Sequence, residues 1–278
     1  MPAPEHLTTL SSPELAAAKA AAESGASIVV DYFEKGVTMR SKGPDEHHNL
    51  VSDADEESEA AIIESLTNSL PGHTVFGEES AKNETAEELN QVDHLWIVDP
   101  LDGTNNFAHH LPHFAISLGY YRRGVAAAGL VVNPVRDDWY YAVSGGGAWH
   151  NGEGISVRND TSLSSVMVGC GFYYDRGQMM QATLKTVEAF FGEGIHGIRR
   201  FGTAALDLCQ VAAGQFGAFF EYQLAPWDFA AARLILEEAG GKITDARGEP
   251  LALKISSILA SNTVLHEDAL ALTRRFHP

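Results

Sequence analysis

The chain has 278 residues and a mass of 30.0 kDa, room for one large domain or two small ones. Hydrophobic residues make up 45% and charged ones 20%, the balance of a globular protein and not of a disordered tail. A net charge of −18 opposes any sequence-independent grip on nucleic acid or anionic lipid, and no apolar run approaches the roughly 20 residues that span a bilayer. Neither nucleic acid nor membrane is therefore expected as a partner.

The opening stretch MPAPEHLTTLSSPE lacks the basic start and apolar core of a secretory signal. Cys170 and Cys209 are too few for a disulfide scaffold and lack metal-ligand spacing. These features read as a cytoplasmic protein. Ser11-Ser12-Pro13-Glu14 signals a first helix, running through an alanine-rich stretch to Gly36. A polar loop with His47 and His48 follows. A second helix is then predicted from Ser52–Asp53 to Leu70-Pro71-Gly72. Short β-branched and aromatic runs at 74–77, 95–98, 115–121, 126–132 and 139–143 read as strands. The polar stretch 81–93 interrupts them and reads as a surface loop.

Beyond residue 155 strands and helices alternate. Strands are predicted at 166–169, 197–201, 218–221, 242–245 and 257–260, with helices at 178–191, 203–213, 228–239 and 267–275. A strand-rich part at 1–155 and an alternating part at 156–278 would stack as layers in one compact unit. The helix at 228–239 is apolar on nearly every side, with Arg233 and Glu237 as a narrow polar strip. Such a helix belongs between two sheets.

Three acidic clusters fall at element ends. In His94-Leu-Trp-Ile-Val-Asp99-Pro-Leu-Asp102-Gly-Thr104-Asn-Asn-Phe107, an apolar strand delivers Asp99 to its end and Pro100 is expected to force a turn. One tight bend would then aim Asp99, Asp102 and an intervening carbonyl at one point. Plain turn chemistry explains the same residues equally well. Glu78-Glu79 follows the strand at 74–77, where solvated charge is the simpler reading. Asp228 opens the buried helix, where capping suffices but leaves acceptor sites for a metal. Asp55 lies in the first turn of the second helix, on the face carrying Ile62, Leu66 and Leu70. A carboxylate there calls for a partner inside, such as a hydroxyl.

If these carboxylates converge, two charges about 4 Å apart repel by roughly 4 kcal/mol at an effective dielectric near 20. Cations would be required. Hard oxygen ligands favour Mg2+ over zinc, and magnesium held by carboxylates leaves positions for water and phosphate.

Glu78-Glu79-Ser80, Asp99-Pro-Leu-Asp102-Gly-Thr104-Asn-Asn-Phe107, Trp227-Asp228-Phe-Ala-Ala and Glu238-Ala-Gly-Gly241 occur in the order and spacing of one family's signatures. On these residues the sequence resembles the inositol monophosphatase family of magnesium-dependent, lithium-sensitive phosphatases. The resemblance implies a layered α/β/α/β/α sandwich, usually a homodimer. It implies metal ligation of two or three Mg2+ ions by Glu78, Asp99, the Leu101 carbonyl, Asp102 and Asp228. Thr104 and Asp55 fall at the positions that orient the attacking water. Substrate would meet Glu78, Leu101, Asp102, Gly103, Thr104, Gly202, Thr203, Ala204, Glu221 and Asp228. The expected reaction is hydrolysis of a small polyol phosphate, with myo-inositol monophosphate leading.

This chain departs from the animal enzymes at Ala225, where they carry histidine. Histidinol phosphate, fructose bisphosphate and 3′-phosphonucleotides therefore stay open as substrates, as does a regulatory binding role without turnover. Arg199-Arg200 suits a second anion, a dimer partner or plain surface. His109, His110 and His113 lack the further ligand that zinc needs. Gly145-Gly146-Gly147 reads as a hairpin turn rather than a dinucleotide loop, and Asp53-Ala-Asp55 misses the glycine of a calcium loop.

Overall fold

The computed structural model describes residues 3–9, 12–42, 50–81 and 85–278. His47 and His48 lie outside the described residues. A short helix α1 (Glu5–Thr9) precedes the first long helix α2 (Pro13–Lys35), which Ser12 caps through its hydroxyl to the Leu15 N–H at 3.1 Å. Two-residue strands β1 (Arg40–Ser41) and β2 (Leu50–Val51) pair antiparallel ahead of α3 (Asp53–Ser69). Then come β3 (Thr74–Gly77), α4 (Ala86–Gln91), β4 (Leu95–Asp102) and α5 (Thr104–Ala108). The stretch expected as a loop thus contains a helical turn, because Thr85 and Glu88 bond reciprocally at its start.

Strands β5 (Ala115–Arg122), β6 (Val125–Asn133), β7 (Asp138–Val143), β8 (Ala148–His150) and β9 (Glu153–Ile155) complete a sheet in sequential order β3 to β9. Its β3–β4 pair is parallel and every other pair antiparallel. The second half contributes β10 (Met167–Cys170), α6 (Gln178–Gly192), β11 (Gly197–Arg199), α7 (Ala204–Ala212), β12 (Ala218–Leu224), α8 (Pro226–Glu238), β13 (Gly241–Thr244), β14 (Ser256–Asn262) and α9 (His266–Phe276). These strands form a second sheet in the order β11-β10-β12-β14-β13.

Period-two alternation sets the layers. Trp96 and Val98 of β4 face α2 and α3, packing with Ala18, Ala22, Ile62 and Leu66. Leu95 and Ile97 face the other way, against α7 and α8, whose far side meets Phe219, Ile258 and Ala260 of the smaller sheet. Phe220 and Leu259 then look outward to α6 and α9. The result is the expected α/β/α/β/α sandwich.

The middle helix α8 sits between the sheets, as its apolar circumference required. Its polar strip survives as an Arg233–Glu237 ion pair at 3.0 Å. Gly129 of β6 lets the α8 backbone approach closely, since a side chain there would strike the Ala231 carbonyl. The Tyr121 hydroxyl donates to the Ala230 carbonyl at 2.9 Å and pins the contact.

Candidate active site

Strand β4 carries the acids, though not through the turn that Pro100 suggested. It continues to Asp102 with a bulge, pairing Asp99 with Ser117 and Asp102 with Ala115. Proline is tolerated because a bulged residue owes the ladder no N–H. The displaced Leu101 N–H donates to Asp99 Oδ1 at 3.0 Å. The freed carbonyls are also used: Ser58 donates to Pro100 at 3.3 Å, and Thr104 lies 3.1 Å from the Leu101 carbonyl. Gly103, at φ 95°, turns the chain from the strand into α5, a backbone shape that costs glycine little.

Asp228 reaches the same place from α8. It is the third residue of that helix and not its cap. Ala225 holds the cap position and donates its N–H to Asp228 Oδ2 at 2.6 Å. Asp102 Oδ2 accepts the Ala205 N–H at the start of α7, at 2.8 Å. One oxygen each from Asp99, Asp102 and Asp228 lies within 4.8 Å of the others. Among the described residues this is the one group of its kind, and His109, His110 and His113 form none.

Burial raises the Asp99 and Asp102 carboxyls well above the usual carboxylate range, and like charges on Glu78 and Asp228 add to it. Asp228 is raised by burial and by Glu78. Hard oxygen donors crowded in this way fit a divalent cation such as Mg2+, which would supply the missing positive charge.

Glu78 stands at the rim, where Lys42 Nζ contacts it at 2.8 Å and Glu79 at 2.7 Å. Burial opposes the charge on Lys42, yet the two carboxylates hold its ammonium above the ordinary lysine range. The site thus draws in a cation from its own chain. Glu79 is itself pushed up to about 7 by burial and by Glu78.

Asp55 is buried at 1% exposure and has the hydroxyl partner that its position demanded. Its Oδ1 lies 3.2 Å from Thr104 Oγ1, while Oδ2 accepts both the N–H and the hydroxyl of Ser52 at 2.7 Å. Burial raises its pKa, and the Ser52 bonds pull it back.

A cleft of about 220 Å³ joins these parts. Glu78, Asp99, Leu101, Asp102, Gly103, Thr104, Gly202, Thr203, Ala204, Glu221 and Asp228 all line it, with Asp55 behind Thr104. Phe172, Tyr173 and Tyr174 form an aromatic wall, and Arg200 and Asp207 also face the cleft.

Four contributors were given no role by the sequence analysis. Lys42 acts across a long sequence separation and leaves no local signal, whereas Asn106 stands inside the Asp99–Phe107 signature but finds its partners elsewhere in the chain. Asn106 Nδ2 donates to the His113 and Phe201 carbonyls, both at 2.7 Å, tying α5 to the loop before α7. Asp207 reads as an ordinary first-turn helix acid. Ser52 was visible, because Ser-x-x-Asp is a capping spacing.

The sequence profile of the inositol monophosphatase family matches residues 11–277. Inositol-1-monophosphatase of Rhizobium meliloti is 40% identical over 244 residues, 86% of this chain and 88% of that protein. Nus factor SuhB of Escherichia coli is 35% identical over 259 residues, 93% of this chain and 94% of that protein. The solved structure of extragenic suppressor protein suhB from Bartonella henselae superposes with a TM-score of 0.85 at 32% identity, covering 95% of this chain and 99% of that one. The chain belongs to the inositol monophosphatase family. Within that class it is a phosphomonoesterase.

Proposed function

We propose that the protein is a magnesium-dependent phosphatase of the cytoplasm that hydrolyses a small polyol phosphate, with myo-inositol monophosphate the leading substrate. The observation that carries this reading is the Asp55–Thr104 contact at 3.2 Å beside three aspartate oxygens within 4.8 Å of one another. Glu78, Asp99, the Leu101 carbonyl, Asp102 and Asp228 would hold the magnesium. When bound, magnesium neutralises the substrate phosphate, acidifies water and stabilises charge on the leaving oxygen.

The remaining work belongs to the chain. Ser52 fixes Asp55 through two hydrogen bonds, so one carboxylate oxygen stays aimed at Thr104. Thr104 donates its proton to Asp55 and turns its lone pairs toward the cleft. A water that donates to Thr104 Oγ1 then presents its own lone pair to phosphorus. The water oxygen forms a new P–O bond as the ester P–O bond opposite breaks, releasing phosphate and the alcohol. Asp55, made more basic by burial, takes the proton that the water gives up through Thr104, and the departing alkoxide takes a proton from a second water. The amides of Gly103 and Thr104 would hold the phosphate, and Glu221 would meet the alcohol.

The −18 charge supports a metal-bridged small substrate over direct contact with nucleic acid. A homodimer follows the same family reading.

The deciding experiment is phosphate release from inositol 1-phosphate, histidinol phosphate, fructose 1,6-bisphosphate and 3′-phosphoadenosine 5′-phosphate. Each is assayed with magnesium, without it, and with lithium added. Fast magnesium-dependent turnover of the inositol ester, suppressed by lithium, supports the reading. A different preferred ester corrects the substrate, and silence across the panel from folded, magnesium-loaded protein favours a regulatory role.

A further inference from the structure

The acids of the cleft divide into two kinds. Asp99 and Asp102 each accept a backbone N–H, as does Asp228, and Glu78 accepts Lys42. Asp207 and Glu221 accept nothing among the described residues, although they are only 1% and 8% exposed. Asp207 lies in the first turn of α7, and its own N–H is spent on the Thr203 carbonyl at 3.0 Å. Its Oδ1 is buried without a partner, while the residue itself faces the cleft.

A buried carboxyl left in this state costs about 1–3 kcal/mol or more, and a water or a substrate group that reached it from the cleft would recover that cost. Arg200 does not supply the answer. Its guanidinium folds against Gly202, where a side chain would collide with it. From there it pulls on the charge of Asp207 and Glu221 without forming an ion pair among the described residues.

Resting on the phosphatase reading above, we propose that Asp207 is a specificity-determining residue, exchanging hydrogen bonds, beside Glu221, with hydroxyls of the leaving alcohol. Burial pushes both carboxyls well above the usual range. Each carboxyl has an oxygen that accepts from a hydroxyl, and each hydroxyl has a proton to give. An ester lacking those hydroxyls leaves both acids without partners and gains nothing from them.

The test compares inositol 1-phosphate with p-nitrophenyl phosphate, which has no hydroxyl to offer. Asp207→Leu removes the hydrogen-bonding group at similar volume, and Asp207→Asn keeps a donor and an acceptor. Asp207→Leu is expected to lower kcat/KM for inositol 1-phosphate at least tenfold, mainly through KM, with p-nitrophenyl phosphate unchanged. Asp207→Asn should restore most of that loss. The metal-free melting temperature of Asp207→Leu should match or exceed that of the wild type.

Equal losses on both esters, or none on the inositol ester, would overturn the assignment. Absence of wild-type turnover would defeat the phosphatase reading instead. Asp207 is then judged by calorimetry with inositol 1-phosphate: tenfold weaker binding by Asp207→Leu supports it, and unchanged binding refutes it. If Asp207→Leu does not fold, the Asn variant and Asp207→Ala decide by the same ratio of the two esters.

Discussion

Removing one charge from the acidic cluster should make the metal-free protein more stable while ending its work. Asp102→Asn is the informative change, because an amide oxygen can still accept the Ala205 N–H. At separations up to 4.8 Å, each ionised pair repels by about 3 kcal/mol at an effective dielectric near 20. Asp102 takes part in two such pairs, with Asp99 and Asp228. Raised pKa values mean that the folded protein already avoids part of this repulsion by taking up protons.

The realised gain from Asp102→Asn should therefore be about 1–2 kcal/mol, or about 2–8 °C in melting temperature for a chain of this size. Magnesium has the opposite pattern. At a hundredfold excess over its Kd it should stabilise the wild type by about 2.7 kcal/mol, and the variant far less. The assay is thermal unfolding of both proteins in chelator and in magnesium, alongside phosphate release. A variant that melts below the wild type in chelator, or that keeps the full magnesium shift, would refute the electrostatic account.

Other consequences follow from single contacts. Thr104→Ala should lower kcat about a hundredfold or more with little change in KM, as loss of water orientation demands; a pure KM effect would remove Thr104 from the chemical step. Lys42→Met removes a cation that competes for Glu78, so the magnesium concentration giving half-maximal activity should fall several-fold; a rise would contradict the competition. His266 is wholly buried between the Thr244 and Ser261 hydroxyls, and burial lowers its pKa from 6.5 to about 4. The unfolded imidazole protonates near pH 6.5 and the folded one does not. Stability should thus drop as pH falls from about 6.5 to 4, by at most about 3 kcal/mol. Urea midpoints at pH 7 and 4.5 measure the drop, and His266→Gln should shrink it; an unchanged drop would assign it to other groups.

Much of this architecture is legible in the sequence because burial imposes periodicity. Trp96 and Ile97 announce two opposite faces of one strand, and the all-round apolar surface of α8 announces a sandwiched helix. The Asp55 argument held for the same reason: a carboxylate on an apolar face needed a hydroxyl, and Thr104 supplies it. What failed was punctuation. Pro100 signals a turn and a bulge equally well, and pairing to β5 decides between them. Tyr222 and Leu224 continue the alternation of β12 beyond Glu221, which carries the strand right up to the Ala225 cap. The roles of Lys42, Asn106 and Asp207 were not legible because they lie in partners, or in the lack of one, fixed only by the packed fold.

The bond from the Ala205 N–H to Asp102 joins an acid of the large sheet to the helix that leads into the small one. Asp228 crosses the same seam. A chain caught with only one sheet in place holds an incomplete donor set and has no room for an alcohol. A cation bound there would reward only folds in which both halves have docked, so metal binding and the docking of the two halves would be coupled.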